Sequence, residues 1–231
     1  MERGGRGCGE VTGALRLPRP RSSPGCNAST PGHGPAGRLR QRGSGVLRCY
    51  GLELTRRLAV DIRDLLIDGI EQLTSWMDDA LKDLSAEQVN WNPPGNAVSV
   101  GFNAWHVMRT SDNIVNFVFK KTPPIWMAQG YVEKLGLPKV EQGTGMSLED
   151  AHSISISSVD LLREYGRKVG ADAVAFLKEV PVEALEEVQM IKPLGEMPKW
   201  RVVRQVIMTH GFMHLGEINA LKGQMGFKFA I

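Results

Sequence analysis

Thr209-His210-Gly211-Phe212-Met213-His214-Leu215-Gly216-Glu217-Ile218-Asn219 is the stretch on which the reading of this 231-residue chain turns. In a helix, His210 and His214 stand one turn apart on one face, because side chains at i and i+4 superpose. The same face collects Val203, Val206, Ile207, Met213, Glu217 and Leu221, so two imidazoles and a carboxylate are expected on a stripe turned toward a core. Buried imidazoles need partners, and a divalent metal suits a pair at this spacing. Two ligands do not close a metal site, so a third has to come from another segment. On spacing alone, one buried, hydrogen-bonded histidine and one at the edge fit the motif equally well. Gly211, Gly216 and Gly223 lie in the same segment. Each costs a helix about 1 kcal/mol against Ala, which points to close approach of a neighbouring element.

Working back from this stretch, Pro198 stands where helix-starting prolines stand, and the helix is expected to run to about Met225, before Gly226. Val188 to Met197 reads as a short hairpin turning near Gly195. A third helix begins at Ser147 as N-cap and runs through Ile154, Leu161, Leu162 and Tyr165 to about Leu177, with Gly170 as its weak point. Residues 122–146, with Trp126, Tyr131 and punctuating Gly and Pro, form a connection long enough to be a functional flap or to carry a helix of its own.

A second helix, from Ser99 or Val100 to about Phe119, contains His106. Its apolar stripe is Ala104, Val107, Met108, Val115 and Val118. His106 points away from that stripe and shares a face with Phe102, Asn103, Thr110, Asn113 and Phe117, which suits a cleft wall and equally an exposed histidine. The first helix runs from Leu54 to Leu84 with Leu58, Ile62, Leu65, Leu66, Leu73, Trp76, Met77 and Ala80 at helical spacing, and Ser85 to Gly95 follows as a loop. Four long helices with long crossings predict an all-α four-helix bundle, an architecture that builds metal sites from inward-facing side chains.

Composition divides the chain. Residues 1–50 hold nine arginines, no lysine and two acids, a net of +7 within a chain of +3, so residues 51–231 carry −4 by difference. This Gly/Arg/Pro-rich extension cannot bury enough apolar surface to offset the entropy of ordering, and disorder is expected. Its arginines suggest an organellar transit peptide, which the density of Gly and Pro argues against; a translation start assigned too far upstream is the third reading. The folded domain is taken as residues 51–231. All three cysteines, Cys8, Cys26 and Cys49, lie in the extension, which removes a cysteine nucleophile and a thiolate-bound zinc from the domain. No run reaches the roughly 18 apolar residues of a membrane span, and no signal-peptide core follows the N-terminal arginines. A cytoplasmic protein is expected, without nucleic-acid or membrane partners, since the basic pI belongs to the extension and the domain is acidic.

Helix, Asn-Trp-rich loop, helix with Trp105-His106, and a final helix with His210-x-x-x-His214-x-Gly216-Glu217-Ile218-Asn219 together resemble the DinB/YfiT-like metalloproteins, over about residues 54 to 227. The resemblance implies a four-helix bundle in which three histidines bind a divalent metal, commonly nickel or zinc. Matched position by position, the ligands are His106, His210 and His214. It also implies a homodimer and two uses of an open metal position. One is hydrolysis by an activated water; the other is transfer of a small thiol such as bacillithiol, mycothiol or glutathione. No residue receives a catalytic role from sequence. Glu217 reads as an outer acceptor or fourth ligand, and equally as a capping or dimer-contact carboxylate. Arg109, Asn103 and Asn113 face a substrate or form solvated surface. His33 falls in the extension, and His152 is expected to face solvent.

Two functions compete on these residues: a metal-dependent enzyme acting on a small molecule, and a non-catalytic metal-binding, dimerising stress-response module. A third, nucleic-acid binding through the arginine-rich extension, sits poorly with the acidic domain.

Overall fold

The carboxylate of Asp61 accepts a hydrogen bond from the Arg63 N–H and opens α1, Ile62–Leu81, in the computed structural model, which describes residues 60–228. The expected turns at Leu54 and Leu58 and the extension of residues 1–50 lie outside the described residues. Leu66, Ile70, Leu73, Met77, Ala80 and Leu81 are buried, whereas Leu65 and Trp76, placed on the core face by spacing, are 61% and 51% exposed. The helix ends at Leu81, short of Leu84, which is nevertheless buried. The following loop holds one turn, α2 (Ala86–Val89), fixed by a reciprocal capping box between Ser85 and Gln88.

Ser99 caps α3, Val100–Asp112, every residue of which is buried. The helix continues with π-helical turns over Asn113–Lys120 and stops at Lys121, a left-handed residue with φ 58°. The long connection carries two short helices, α4 (Ile125–Ala128) and α5 (Tyr131–Leu135). The single third helix expected from Ser147 onward is instead two, α6 (Leu148–Ser153) capped by Ser147 and α7 (Val159–Glu179) capped by Ser158. The break has a physical cause. Asn90 Oδ1 accepts from the Ile156 N–H at 2.7 Å and Asn90 Nδ2 donates to the Ile156 carbonyl at 2.9 Å, so both backbone groups are taken from the helical ladder. Gly170 does not weaken α7. A Cβ there would lie 2.3 Å from Thr74 Oγ1, so the glycine lets α1 and α7 approach closely.

After a 3-10 turn at Val182–Glu186, β1 (Val188–Ile191) and β2 (Gly195–Pro198) pair antiparallel, Val188 opposite Pro198 and Ile191 opposite Gly195. The chain turns at residues 192–194, and Gly195, with φ 88°, opens the second strand. The last helical segment is continuous: α8 (Lys199–Val202), a π-helical stretch Val203–Thr209, and α9 (His210–Gln224). α1 packs on α7 and α9, and α3 on α7 and α9, giving an all-α four-helix bundle with one small hairpin. No helix among the described residues is long and apolar enough to cross a membrane.

At the centre of the bundle the carboxylate of Asp112 is fully buried. It accepts hydrogen bonds from Asn116 Nδ2 (2.9 Å), the N–H groups of Ile125 (2.9 Å) and Trp126 (2.8 Å), and the Tyr165 hydroxyl (2.7 Å). Arg109 Nη1 stands 4.0 Å away, also buried. Burial, followed by the Asp112 charge, holds the Tyr165 hydroxyl well above its ordinary range, so it remains a donor. One carboxylate thus joins α3, α4 and α7. Asp112→Ala leaves a buried guanidinium and several donors without their acceptor, and is expected to destabilise the protein by about 3–5 kcal/mol. A urea-unfolding midpoint equal to that of the wild type would contradict this account.

Candidate metal centre

His106 lies in the middle of α3, and His210 and His214 in the first two turns of α9. The face carrying the last two is not the centre of the buried stripe that spacing suggested. In α9 the buried positions are Gly211, Leu215, Ile218 and Leu221; His210 and His214 are half-buried at its margin, Met213 is 64% exposed, and Glu217 is exposed. Gly211 explains the rotation. A Cβ there would stand 2.4 Å from Leu73 Cδ2, so the helix seats on α1 at the glycine and turns the histidines toward the edge of α3. Gly216 has no neighbour within 4 Å of a Cβ, so the close approach expected there does not occur.

His106 Nε2 and His214 Nε2 lie 3.0 and 3.1 Å from His210 Nε2. The three rings are nearly perpendicular to one another, at 82°, 85° and 84°, so their edges meet at one point. One nitrogen from each can be chosen so that all lie within 4.8 Å of one another.

The outer nitrogens decide what that point holds. His106 Nδ1 meets the backbone carbonyl of Gln142. His214 Nδ1 lies 2.8 Å from both Asn103 Oδ1 and Glu217 Oε2. A carbonyl and a carboxylate only accept, so both Nδ1 atoms carry the proton and both Nε2 atoms present lone pairs. His210 Nδ1 is buried without a hydrogen bond of regular geometry, although the Val206 carbonyl one turn back favours a proton on that ring. Burial lowers the pKa of His106, with the Gln142 carbonyl opposing it. Burial, then the charges of His106 and His214, push His210 down to about 4. Near neutral pH His106 and His210 are therefore uncharged, and the inner nitrogens of the cluster are directed at a common point. Three imidazole nitrogens in this arrangement fit a divalent cation with room for a further ligand.

The surrounding residues are also placed. Glu217 faces the outer nitrogen of His214 and is thus an outer acceptor rather than a fourth ligand. Asn103 is buried, its Nδ2 donating to the Ser99 carbonyl at 3.1 Å while its oxygen faces His214. Arg109 is buried as well, with its guanidinium 5.1 Å from the ring centre of Trp126. Neither is solvated surface. His152 lies 2.8 Å from the Ala97 carbonyl and ties α6 to the loop that precedes α3. Gln142 escaped the sequence reading because it acts through its backbone, which leaves no residue-type signal; only Gly143, with φ 94°, marks the turn. An apolar cavity of about 40 Å³ among Ile70, Leu73, Met77, Val107, Met108 and Ile207, and a groove of about 630 Å³ between α1 and α7, do not border the histidines.

The family profile described as the DinB superfamily matches residues 69–218, a span that contains all three histidines. The chain belongs to the DinB superfamily. A conserved protein from Enterococcus faecalis shares the fold of this DinB-superfamily member: the crystal structure aligns with a TM-score of 0.65 at 19% identity, covering 73% of this chain and 100% of that one. No curated protein matches the sequence.

The lowered pKa of His210 has a measurable consequence in the metal-free protein. Between an ordinary value near 6.5 and about 4, the unfolded chain binds a proton at this residue that the folded chain does not. Stability is therefore expected to fall as pH drops through that window and to level off below it. Urea unfolding of the metal-free wild type against His210→Ala checks this, the variant showing the shallower dependence.

Proposed function

We propose that this DinB-superfamily protein is a divalent-metal-dependent enzyme acting on a small molecule, by thiol transfer or hydrolysis, with His106, His210 and His214 as the metal ligands. The observation that carries the reading is the convergence of three Nε2 atoms, two of them kept free of protons by acceptors on the far side of the ring. Zinc or nickel suits three neutral imidazoles. Bound there, the metal would supply Lewis acidity to a water or to a low-molecular-weight thiol in its open position. The protein's own part is to hold the rings. Gln142 and Asn103 fix their tautomers, and the half-buried setting of His210 and His214 leaves one side of the cluster toward solvent. A cysteine-free domain without a membrane-spanning helix among its described residues supports a cytoplasmic setting.

A non-catalytic, dimerising metal-binding module is the second reading. It draws support from apolar side chains left in solvent, Trp76 at 51% and Met213 at 64%, with Phe212 edge-on to Trp76 at 5.8 Å. A homodimer accords with both readings.

Elemental analysis of the untagged full chain is expected to find about one divalent metal per chain, absent from His106→Ala, His210→Ala and His214→Ala. Metal-dependent turnover in a screen of small thiols with electrophiles, and of esters and amides, would favour the enzyme. A metal-loaded dimer without turnover would favour the module, and a wild type that takes up no metal would end both.

A further inference from the structure

The segment from Pro138 to Gly143 has no secondary structure of its own, yet α3 and its neighbour α4 hold it at successive points. Trp126 Nε1 donates to the Pro138 carbonyl at 3.1 Å. Arg109 Nη2 reaches the carbonyls of Lys139 and Val140 at 3.5 and 3.4 Å. Asn113 Nδ2 donates to the side-chain oxygen of Gln142, and Arg109 Nη1 donates to Asn113 Oδ1 at 3.3 Å. At the end of this series the Gln142 carbonyl meets His106 Nδ1. Gly143 follows with φ 94°, and a Cβ on it would stand 2.9 Å from both His106 Nδ1 and Phe102 Cζ. Phe102 is stacked on the His106 ring from within α3, at 6.0 Å and 17°. The imidazole is thus enclosed by its own helix and by a backbone that carries no side chain at the point of contact.

We propose that residues 138–143 are a positioning strap, clamped to α3 by Arg109 and Asn113, which fixes the tautomer and seat of His106 through the Gln142 carbonyl. The inference rests on the reading of His106 as a metal ligand. Asn113 and the Gln142 side chain are positioning residues, since neither belongs to the histidine cluster. A carbonyl that swings freely would let His106 carry its proton on either nitrogen, and a proton on Nε2 competes directly with the cation. The strap also sets the side of approach. It covers His106, which is 8% exposed, so access to the cluster lies past the His214 side chain at 20% and Glu217 at 53%.

Gln142→Ala tests the strap because it keeps the backbone carbonyl and removes the link to Asn113, together with a longer 3.4 Å bond from Nε2 to Thr144 Oγ1; Asn113→Ala removes the same link from the other side. Metal-free full-length wild type, Gln142→Ala, Asn113→Ala and the double variant would be titrated with zinc against a chromophoric chelator. Imidazole ¹⁵N shifts would report the His106 tautomer before metal is added. Each single variant is expected to lose about tenfold in zinc affinity, the scale of an outer-shell partner, with the double variant no worse than either. The His106 resonances should move from the pure Nδ1–H form to a mixture. Gly143→Ala, strained and in contact with the ring, should lose more. Wild-type affinity and an unchanged tautomer in both single variants would overturn the strap. If the wild type binds no zinc, the metal reading falls by itself, and the tautomer shift still decides whether the strap positions His106.

Discussion

The fully buried carboxylate of Asp112 is the constraint on which the rest of this structure depends. An ion with no access to water is tolerable only when its lone pairs are met, and here the donors come from three helices: Asn116 on the continuation of α3, the first N–H groups of α4, and Tyr165 on α7. The arrangement starts a short helix in the long connection and sets Trp126 against Arg109. It also keeps Arg109 beside its counter-charge, from where the guanidinium reaches the carbonyls leading to Gln142. The second helix is thus tied on one side to the core and on the other to the segment that seats His106.

The histidine cluster combines two unlike supports. His106 is buried in a helix with no exposed residue, and its partner is a loop carbonyl. His210 and His214 sit at the rim of α9, their position governed by Gly211 resting on Leu73, and His214 faces a fixed amide and an exposed carboxylate. The rigid histidine and the rim histidines therefore meet at a boundary between core and solvent. Such a boundary could offer a metal both firm ligands and an approachable side.

Much of this was legible in the residues. The i, i+4 histidine pair, the helical spacing on both sides of it and the Ser147 cap are local features, and the resemblance added His106 as third member. What failed were inferences that needed a partner from elsewhere in the chain. Ile154 to Ser158 continues a plausible helix until Asn90 takes the backbone groups of Ile156. Arg109 and Asn103 stayed open between facing a substrate and solvated surface, because a helix wheel has no record of the loop and helix that cover them. Asp112 drew no notice, since its role consists entirely of bonds to distant segments.

By itself the sequence determined the fold class, the four long helical segments and the i, i+4 histidine pair, because periodicity, caps and spacing act within a few turns of one helix, whereas His106 entered only through the family resemblance. Only the tertiary structure decided that three rings from two helices share one point, which nitrogen of His106 and of His214 keeps its proton, and which side of the cluster stays open. Those follow from contacts between residues more than thirty positions apart, Gln142 with His106 and Asn103 with His214, and such contacts exist only once the helices have packed.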